Sequence, residues 1–177
     1  MHAPTKIEHD QTEAAAPELG GVRPADLLHH LLKLQNRLIA PFSVHLEKRY
    51  RVTINEFRAI MLVGRLGETA SHELVEITGV SPMSVSRAVS ALHRQGRLAI
   101  ALDPANRRRK MLRLTEAGDA LYHEMLPTTE KVADYLFTSL APADVVALDR
   151  MVSALVDSLE AVDEHGRSKF LEATKPD

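Results

Sequence analysis

The sequence predicts a mainly α-helical fold with one small β-hairpin, and three observations carry this prediction. Apolar residues recur every three or four positions over most of the chain, which is the spacing of one helix face. Between residues 98 and 114 apolar and polar residues alternate instead, as in β-strands. Two short helical segments flank a tight turn at Gly79, which is the geometry of a helix-turn-helix. The predicted architecture is a helix-turn-helix followed by a hairpin and carried on longer helices.

Composition limits the fold and the class of protein. The 177 residues are 45% hydrophobic and 4% aromatic, so one substantial core must be built from aliphatic side chains. The chain has no cysteine, which excludes disulfides, thiolate metal sites and thiol redox chemistry. No apolar run is long enough to span a bilayer, and the N-terminus lacks the basic-then-apolar order of a signal peptide. We expect one globular unit that works in the cytoplasm without a membrane partner.

The net charge of −2 hides a strong asymmetry along the chain. Residues 81–114 contain eight basic residues and one acid, Asp103, for a net charge of +7. The rest of the chain contains 14 basic and 23 acidic residues, for a net charge of −9. A basic segment of this density in an acidic protein indicates a phosphate-binding surface, and the alternative is a merely solvated basic loop.

The N-terminal part is predicted to be a flexible tail followed by a long helix. Residues 1–22 contain prolines and glycines without a sustained apolar period. A helical pattern begins at Pro24, and its apolar stripe is too broad for an isolated surface helix. Part of that stripe is therefore expected to meet another chain or a later helix. Pro41 should kink or interrupt the helix.

Capping signals set the bounds of the next helix. Thr53 and Glu56 have the spacing of a capping box, and apolar residues follow on one face. These signals predict a second helix over residues 55–66, which Gly67 ends.

The helix-turn-helix follows directly. Ser71 is expected to cap a third helix through Ile77, and Gly79 ends it. Ser81 and Pro82 form an N-cap and first-turn pair that opens a fourth helix, which ends near Gly96.

The fourth helix has two different faces at about 100° per residue. One side is apolar and should pack inward: Val85, Ala88, Val89 and Leu92. The other side combines small hydroxyls, which let the backbone approach closely, with arginines that reach base edges or phosphates. A serine-rich face alone is typical of a solvated surface, but its position after a tight turn favours insertion into the major groove. The candidate DNA-binding residues of this helix are Ser81, Met83, Ser84, Ser86, Arg87, Ser90 and Arg94.

The hairpin is predicted to be a wing beside that helix. Its first strand carries Leu98 and Ile100 and its second strand carries Leu112 and Leu114, with "DPANRRR" between them. Arginines at such a tip suit the phosphate backbone or a narrow minor groove. Asp103 is expected to support the wing, either by pairing with a nearby arginine or through a turn with the following proline. The candidate DNA contacts of the wing are Arg107, Arg108, Arg109 and Lys110.

Residues 79–118 resemble the winged-helix segment of the MarR transcriptional regulators. The resemblance rests on a D-x-x-x-R-R wing (Asp103, Arg107, Arg108) followed by L-x-L-T-x-x-G (Leu112, Leu114, Thr115, Gly118). The family commonly has an acid just before the arginine pair, whereas this chain has Asn106, and Arg109 adds a third consecutive arginine. The resemblance implies a dimeric winged helix-turn-helix protein with Arg108 in the minor groove and Arg87 in the major groove.

Local signals in the sequence also predict the remaining helices. Thr115 is expected to cap a long helix that bends at Pro127, and Pro142 begins a last helix. In MarR proteins the terminal helices form the dimer interface. The predicted division is a tail over 1–22, a dimerisation region over 23–52 and 115–165, a DNA-binding lobe over 53–114 and a flexible C-terminal tail over 166–177.

The function implied is that of a repressor that binds a pseudo-palindromic operator in double-stranded DNA as a homodimer. The family places a small-molecule cleft between the dimer interface and the DNA-binding lobe. A histidine and a tyrosine among apolar residues at that junction would suit an aromatic effector. The alternative is that these residues are core. The candidate effector residues are Phe42, His45, Tyr50, Phe57 and Met61.

The sequence also bears on two other classes of protein. Nine histidines suggest a metal-responsive regulator with His and Glu ligands, but "HELVE" and "HEMLP" both miss the H-E-x-x-H pattern. A hydrolytic enzyme is less well supported, because the sequence has no cysteine nucleophile, G-x-S-x-G elbow or phosphate-binding glycine loop. The prediction is therefore a regulator with no catalytic residue, no metal and no cofactor.

Overall fold

The computed structural model describes residues 21–103 and 109–176. It is mainly helical with one small sheet, as the sequence predicts. In chain order the elements are α1 (Pro24–Tyr50), α2 (Ile54–Leu66), β1 (Glu68–Ala70), α3 (Ser71–Thr78), α4 (Pro82–Arg94), β2 (Leu98–Leu102), β3 (Lys110–Leu114), α5 (Glu116–Phe137), α6 (Pro142–Glu160) and α7 (Lys169–Ala173). The described residues form two compact units, which divide after Gly118.

Helix α1 continues through Pro41 without a break. Of the two outcomes expected at this proline, an interruption is therefore wrong. Proline removes one intrahelical hydrogen bond, and the remaining bonds of a 27-residue helix are enough to continue it. The helix ends where Arg51 adopts a left-handed conformation (φ 53°) and its N–H donates to the Glu47 carbonyl.

Helix α2 begins with the predicted capping box. The Thr53 hydroxyl accepts from the Glu56 N–H at 3.3 Å, and the Glu56 carboxylate accepts from the Thr53 N–H at 2.7 Å. The other oxygen of Glu56 accepts from the Gln95 side-chain amide at 3.1 Å. The buried Glu56 thus ties the start of α2 to the residue that follows α4.

The start of α3 differs from the prediction. Ser71 is the first helical residue and not the cap, because Ala70 occupies the N-cap position. The Ala70 N–H donates to the Glu73 carboxylate at 2.8 Å, so the capping acceptor comes from inside the helix. Residues before Ser71 are extended because they form strand β1, which the sequence analysis did not predict.

The sheet has three antiparallel strands in the order β1-β3-β2. The predicted hairpin pairs Leu98 with Leu114 and Ile100 with Leu112. Strand β1 adds a third partner, with Thr69 opposite Leu112. A strand of three residues is too short to show alternation in the sequence, which explains why it was missed.

The chain makes a close turn from the sheet into α5. The Thr115 hydroxyl donates to the Gly96 carbonyl at 2.7 Å and accepts from the Gly118 N–H at 3.1 Å. A Cβ at position 118 would lie 1.9 Å from the Arg97 carbonyl oxygen. The L-x-L-T-x-x-G motif therefore has a structural role, in which threonine caps the helix and glycine leaves room for the neighbouring backbone.

The core of the first unit is aliphatic, as composition predicts. It lies between α1, α2, α3, α4 and the sheet, whose elements contact one another. Its fully buried members include Leu46, Val52, Ile60, Val63, Leu74, Leu92, Leu98 and Leu112.

The second unit contains most of α5 together with α6 and α7. Helix α5 continues through Pro127, and α6 begins at Pro142 as predicted. Within the flexible tail predicted over residues 166–177, Lys169–Ala173 form a helix capped by Ser168. Asp163 orders the preceding turn, since its carboxylate accepts from the N–H groups of His165 and Arg167 at 2.8 and 2.9 Å.

Candidate nucleic-acid interface

Helix α4 has the two faces that the sequence predicts. Its apolar side is buried: Val85, Ala88, Val89 and Leu92 are at most 6% exposed. The opposite side is exposed along its length, including Met83, Ser86, Arg87, Ser90 and Arg94. Small serines beside the arginines leave the backbone of this face accessible to a flat or grooved partner.

The N-terminus of α4 is capped and carries no acid. The Ser81 hydroxyl accepts from the Ser84 N–H at 3.4 Å and lies 3.0 Å from the Ser84 hydroxyl. Pro82 starts the helix, and its first turn contains no Asp or Glu. The partial positive charge of the helix end is therefore not neutralised locally, which favours a phosphate there.

Helix α4 lies between two open grooves. One groove, of about 540 Å³, separates its outward face from the start of α2 and is lined by Thr53, Asn55, Arg87 and Arg94 among others. The other, of about 370 Å³, separates it from α3 and the sheet and reaches Lys110. The grooves leave α4 as a ridge, which is the shape that a major groove accepts.

The structure divides the basic segment into two sets of side chains. Three cations bind groups of the protein itself. Arg97 donates to the carbonyls of Tyr50 and Arg51 at 3.4 and 3.5 Å. The other two, Arg109 and Arg113, form ion pairs with Glu73 and Glu68 at 2.6 and 2.7 Å.

Three other cations are available to a partner. Arg87, Arg94 and Lys110 are exposed, and within residues 21–103 and 109–176 none of them forms an ion pair. Two lie on the outward face of α4, and Lys110 begins strand β3. The charge that the sequence assigns to one segment is thus concentrated on α4 and at the base of the wing.

The base of the wing is closed by Asp103 and Arg109. The Asp103 N–H donates to the Arg109 carbonyl at 3.0 Å, and the Asp103 carboxylate lies 3.8 Å from the Arg109 guanidinium. The predicted contacts Arg107 and Arg108 lie outside the described residues.

Glu73 is the acid that forms an ion pair with Arg109. The sequence analysis did not identify this residue. A hydrogen bond from the Thr69 hydroxyl, at 2.6 Å, lowers the pKa of Glu73 most. The Ala70 N–H and the charge of Arg109 lower that pKa further, and they outweigh the loss of water around the carboxyl. Glu73 is therefore held as a carboxylate facing the wing.

The five candidate effector residues form two aromatic contacts. The rings of Phe42 and Phe57 meet edge to face with centroids 5.0 Å apart, and those of His45 and Tyr50 lie 6.1 Å apart. Tyr50 and Phe57 are buried, Met61 and Phe42 are half-buried, and His45 is exposed. Helices α1 and α2 bring these residues to one region of the first unit, where part of each pair belongs to the core.

The described residues form neither a metal-ligand cluster nor a membrane-spanning helix. Among the described residues, no three His, Asp or Glu side chains lie close enough to hold a metal ion. In the same part of the chain, no helix is both long and apolar enough to cross a membrane.

A helix-turn-helix with an exposed cationic second helix, followed by a hairpin, defines a winged helix-turn-helix DNA-binding protein. A model of the MarR family matches residues 52–109, which run from the start of α2 to the base of the wing. Over this segment the chain is similar to MarR-family transcription regulators.

Individual relatives agree with this assignment. The HTH-type transcriptional repressor NicR of Pseudomonas putida is 26% identical over 110 residues, which cover 62% of this chain and 70% of NicR. Bordetella bronchiseptica BpsR, whose DNA binding is regulated by 6-hydroxynicotinic acid, is 26% identical with a TM-score of 0.65 and covers 75% of this chain and 99% of its own. A MarR-family regulator of Listeria monocytogenes, solved with a 26mer DNA, shares the fold (17% identity, TM-score 0.69, 75% and 87% coverage).

Proposed function

We propose that this regulator is a repressor that binds a pseudo-palindromic operator as a homodimer and responds to a small aromatic acid. The observation that carries DNA binding is the outward face of α4, where Arg87 and Arg94 are exposed, lack an ion-pair partner in the described chain, and lie beside small serines. Arginines so placed supply both phosphate contacts and bidentate contacts to guanine. Because the operator is part of the chromosome, we propose that the protein acts in the cytoplasm. The proposal assigns no residue to catalysis.

The homodimer is supported by exposed apolar side chains on helices outside the DNA-binding lobe. The first half of α1 exposes leucines, and α6 has no buried residue at all. Apolar surface of this extent is typical of a protein interface, and a second copy of the chain presents the same surfaces. The side chains concerned are Leu27, Leu28, Leu31, Leu32 and Leu34 on α1 and Val146, Met151, Val152, Leu155, Val156 and Leu159 on α6.

The effector class follows from the two aromatic contacts and from two relatives. BpsR responds to 6-hydroxynicotinic acid, and NicR is a repressor of similar sequence. Aromatic rings of Phe42 and Phe57 suit an aromatic ligand, and His45 and Tyr50 supply polar groups for its carboxylate or hydroxyl. We therefore propose a hydroxylated pyridine or benzene carboxylate as the effector.

The test is to measure, by fluorescence anisotropy, how tightly the protein binds DNA from upstream of its own gene. Specific binding with two protomers per site is expected, and 6-hydroxynicotinic acid, nicotinic acid and salicylic acid are the effector probes. At least one of these acids should change the affinity, and His45→Ala should weaken that response while leaving DNA affinity intact. Equal affinity for upstream and random DNA would contradict the proposal. If EDTA abolished or restored the effect of these acids on DNA affinity, the metal-responsive alternative would be favoured.

A further inference from the structure

The third arginine of the wing is bound to the DNA-binding lobe itself. One terminal nitrogen of Arg109 donates to Glu73 Oε1 at 2.6 Å, and the other lies 3.8 Å from Asp103 Oδ2. Its Nε is buried and has no hydrogen-bond partner within the described residues. The guanidinium is thus directed towards α3 and the base of the wing, and its side chain is 36% exposed.

The receiving carboxylate is fixed independently of Arg109. Glu73 Oε2 accepts from the Thr69 hydroxyl at 2.6 Å and from the Ala70 N–H at 2.8 Å. Thr69 is 1% exposed, so this end of the carboxylate is held in the interior. One oxygen of Glu73 therefore caps α3, and the other remains for Arg109. A carboxylate whose two oxygens both accept hydrogen bonds has a fixed orientation, so it holds the arginine bound to it in one place.

We infer that Arg109 is a positioning residue, which holds the wing against α3 through Glu73 so that the wing and α4 face the same duplex. This inference rests on the proposed function and changes the role that the sequence analysis assigns to Arg109, from DNA contact to support. The wing cations that remain for DNA are Lys110 and, outside the described residues, Arg107 and Arg108.

The competing possibility is that Arg109 contacts a phosphate and that Glu73 only offsets its charge. The two possibilities predict opposite changes in DNA affinity when the charge of Glu73 is removed. If Arg109 contacts DNA, Glu73→Gln releases a cation, so the affinity rises and its salt dependence becomes steeper. If Arg109 positions the wing, Glu73→Gln loosens the wing and the affinity falls.

The experiment is a double-mutant cycle on operator binding, measured by anisotropy over a range of salt concentrations. The variants are Glu73→Gln, Arg109→Gln and the double variant. Glutamine at position 73 keeps an oxygen for Thr69 and Ala70, so α3 remains capped. We expect each single variant to bind about tenfold more weakly and the double variant to bind no more weakly than either, as for two residues that act through one contact. The slope of log affinity against log salt should not change.

A matched control is the second ion pair of the same sheet, between Glu68 and Arg113 at 2.7 Å. Its side chains are more exposed, at 41% and 68%. Glu68→Gln and Arg113→Gln should therefore change the affinity by no more than about a few fold. Thermal melting of every variant identifies losses of affinity that come from unfolding.

Tighter binding by Glu73→Gln would overturn the inference, and so would a slope reduced by about 0.9 per subunit in Arg109→Gln. No change of affinity in either variant would also overturn it. Hydrogen exchange of the Asp103 amide in the free protein is a second measurement that needs no DNA, and both single variants should exchange faster there. If the wild-type protein shows no preference for its operator while this exchange behaves as expected, the proposed function fails and the positioning role stands.

Discussion

Single residues decide which cations are available to DNA. The sequence predicts the basic segment and the outward face of α4, because both follow from local order along the chain. It could not predict that Arg97 binds the carbonyls of Tyr50 and Arg51, or that Arg109 and Arg113 bind Glu73 and Glu68, because these partners lie 36 or more positions away. No spacing rule connects such distant residues, and only the folded sheet brings them together.

Arg87 is the residue whose loss should change base reading. If its guanidinium contacts a base edge, Arg87→Ala should weaken operator binding by about 1–3 kcal/mol per contact and relax specificity at one position of each half-site. The measurement is anisotropy with the operator, with single-base variants and with random DNA. Arg113→Ala is a control, because that arginine is paired with Glu68 on the sheet. An equal loss on operator and random DNA would make Arg87 a phosphate contact instead.

The lowered pKa of Glu73 should appear in the pH dependence of stability. A carboxyl whose pKa is lowered by folding stabilises the folded protein at pH values above the ordinary pKa of that carboxyl, 4.5. That contribution is lost as the pH falls below 4.5 and through the lowered pKa of the folded state. The free energy of unfolding of wild type minus that of Glu73→Gln should therefore be constant well above 4.5 and shrink on acidification. Urea unfolding measures it, with Glu76→Gln on the same helix as control. A difference that persists in acid would show that the charge of Glu73 is not its source.

Elements were predicted where their signals are local and were missed where they are not. The capping box of α2, the Ser81 cap of α4 and the β2–β3 hairpin follow from residues close together in the chain. Strand β1 was missed because it consists of three residues whose pairing with β3 depends on the tertiary fold. The wrong cap at Ser71 follows from that omission, since an unrecognised strand occupies the residues before α3.

Gly118 is required where α5 leaves the sheet. Gly118→Ala places a Cβ 1.9 Å from the Arg97 carbonyl oxygen, so the backbone of one element must shift. We expect a loss of about 3 kcal/mol in the free energy of unfolding, at the upper end for overpacked sites. Chemical denaturation measures it, and Ala117→Ser at the exposed neighbouring position is the control. Equal stability of Gly118→Ala and wild type would contradict the packing described here.

The wing should account for part of the salt dependence of DNA binding. Replacing Arg107 and Arg108 with Ala should flatten the dependence of log affinity on log salt by about 0.9 for each lost phosphate contact, counted in both subunits of a dimer. The melting temperature should not change, because the strands are held by Leu98, Leu112 and their neighbours. Salt titration and melting of the same protein provide both values. An unchanged slope would mean that these arginines form a solvated loop.

At the scale of the whole molecule, the sequence predicts more apolar surface than one chain can bury. The broad stripe of α1 is exposed over its first half, and α6 buries none of its residues within one chain. Both findings fit the homodimer that we propose. A single winged helix reads only a few base pairs, so symmetry of the protein should be matched by symmetry of the DNA.

Selection of bound duplexes from a random DNA library, followed by sequencing, tests the central claim most directly, because it needs no prior operator. We expect enrichment of one pseudo-palindrome whose half-sites lie about 10 base pairs apart, the spacing of two major grooves on one side of the duplex. Arg87→Ala should lose the preference at one position in each half. Recovery of unrelated sequences, or of a single half-site bound by one protomer, would contradict the account.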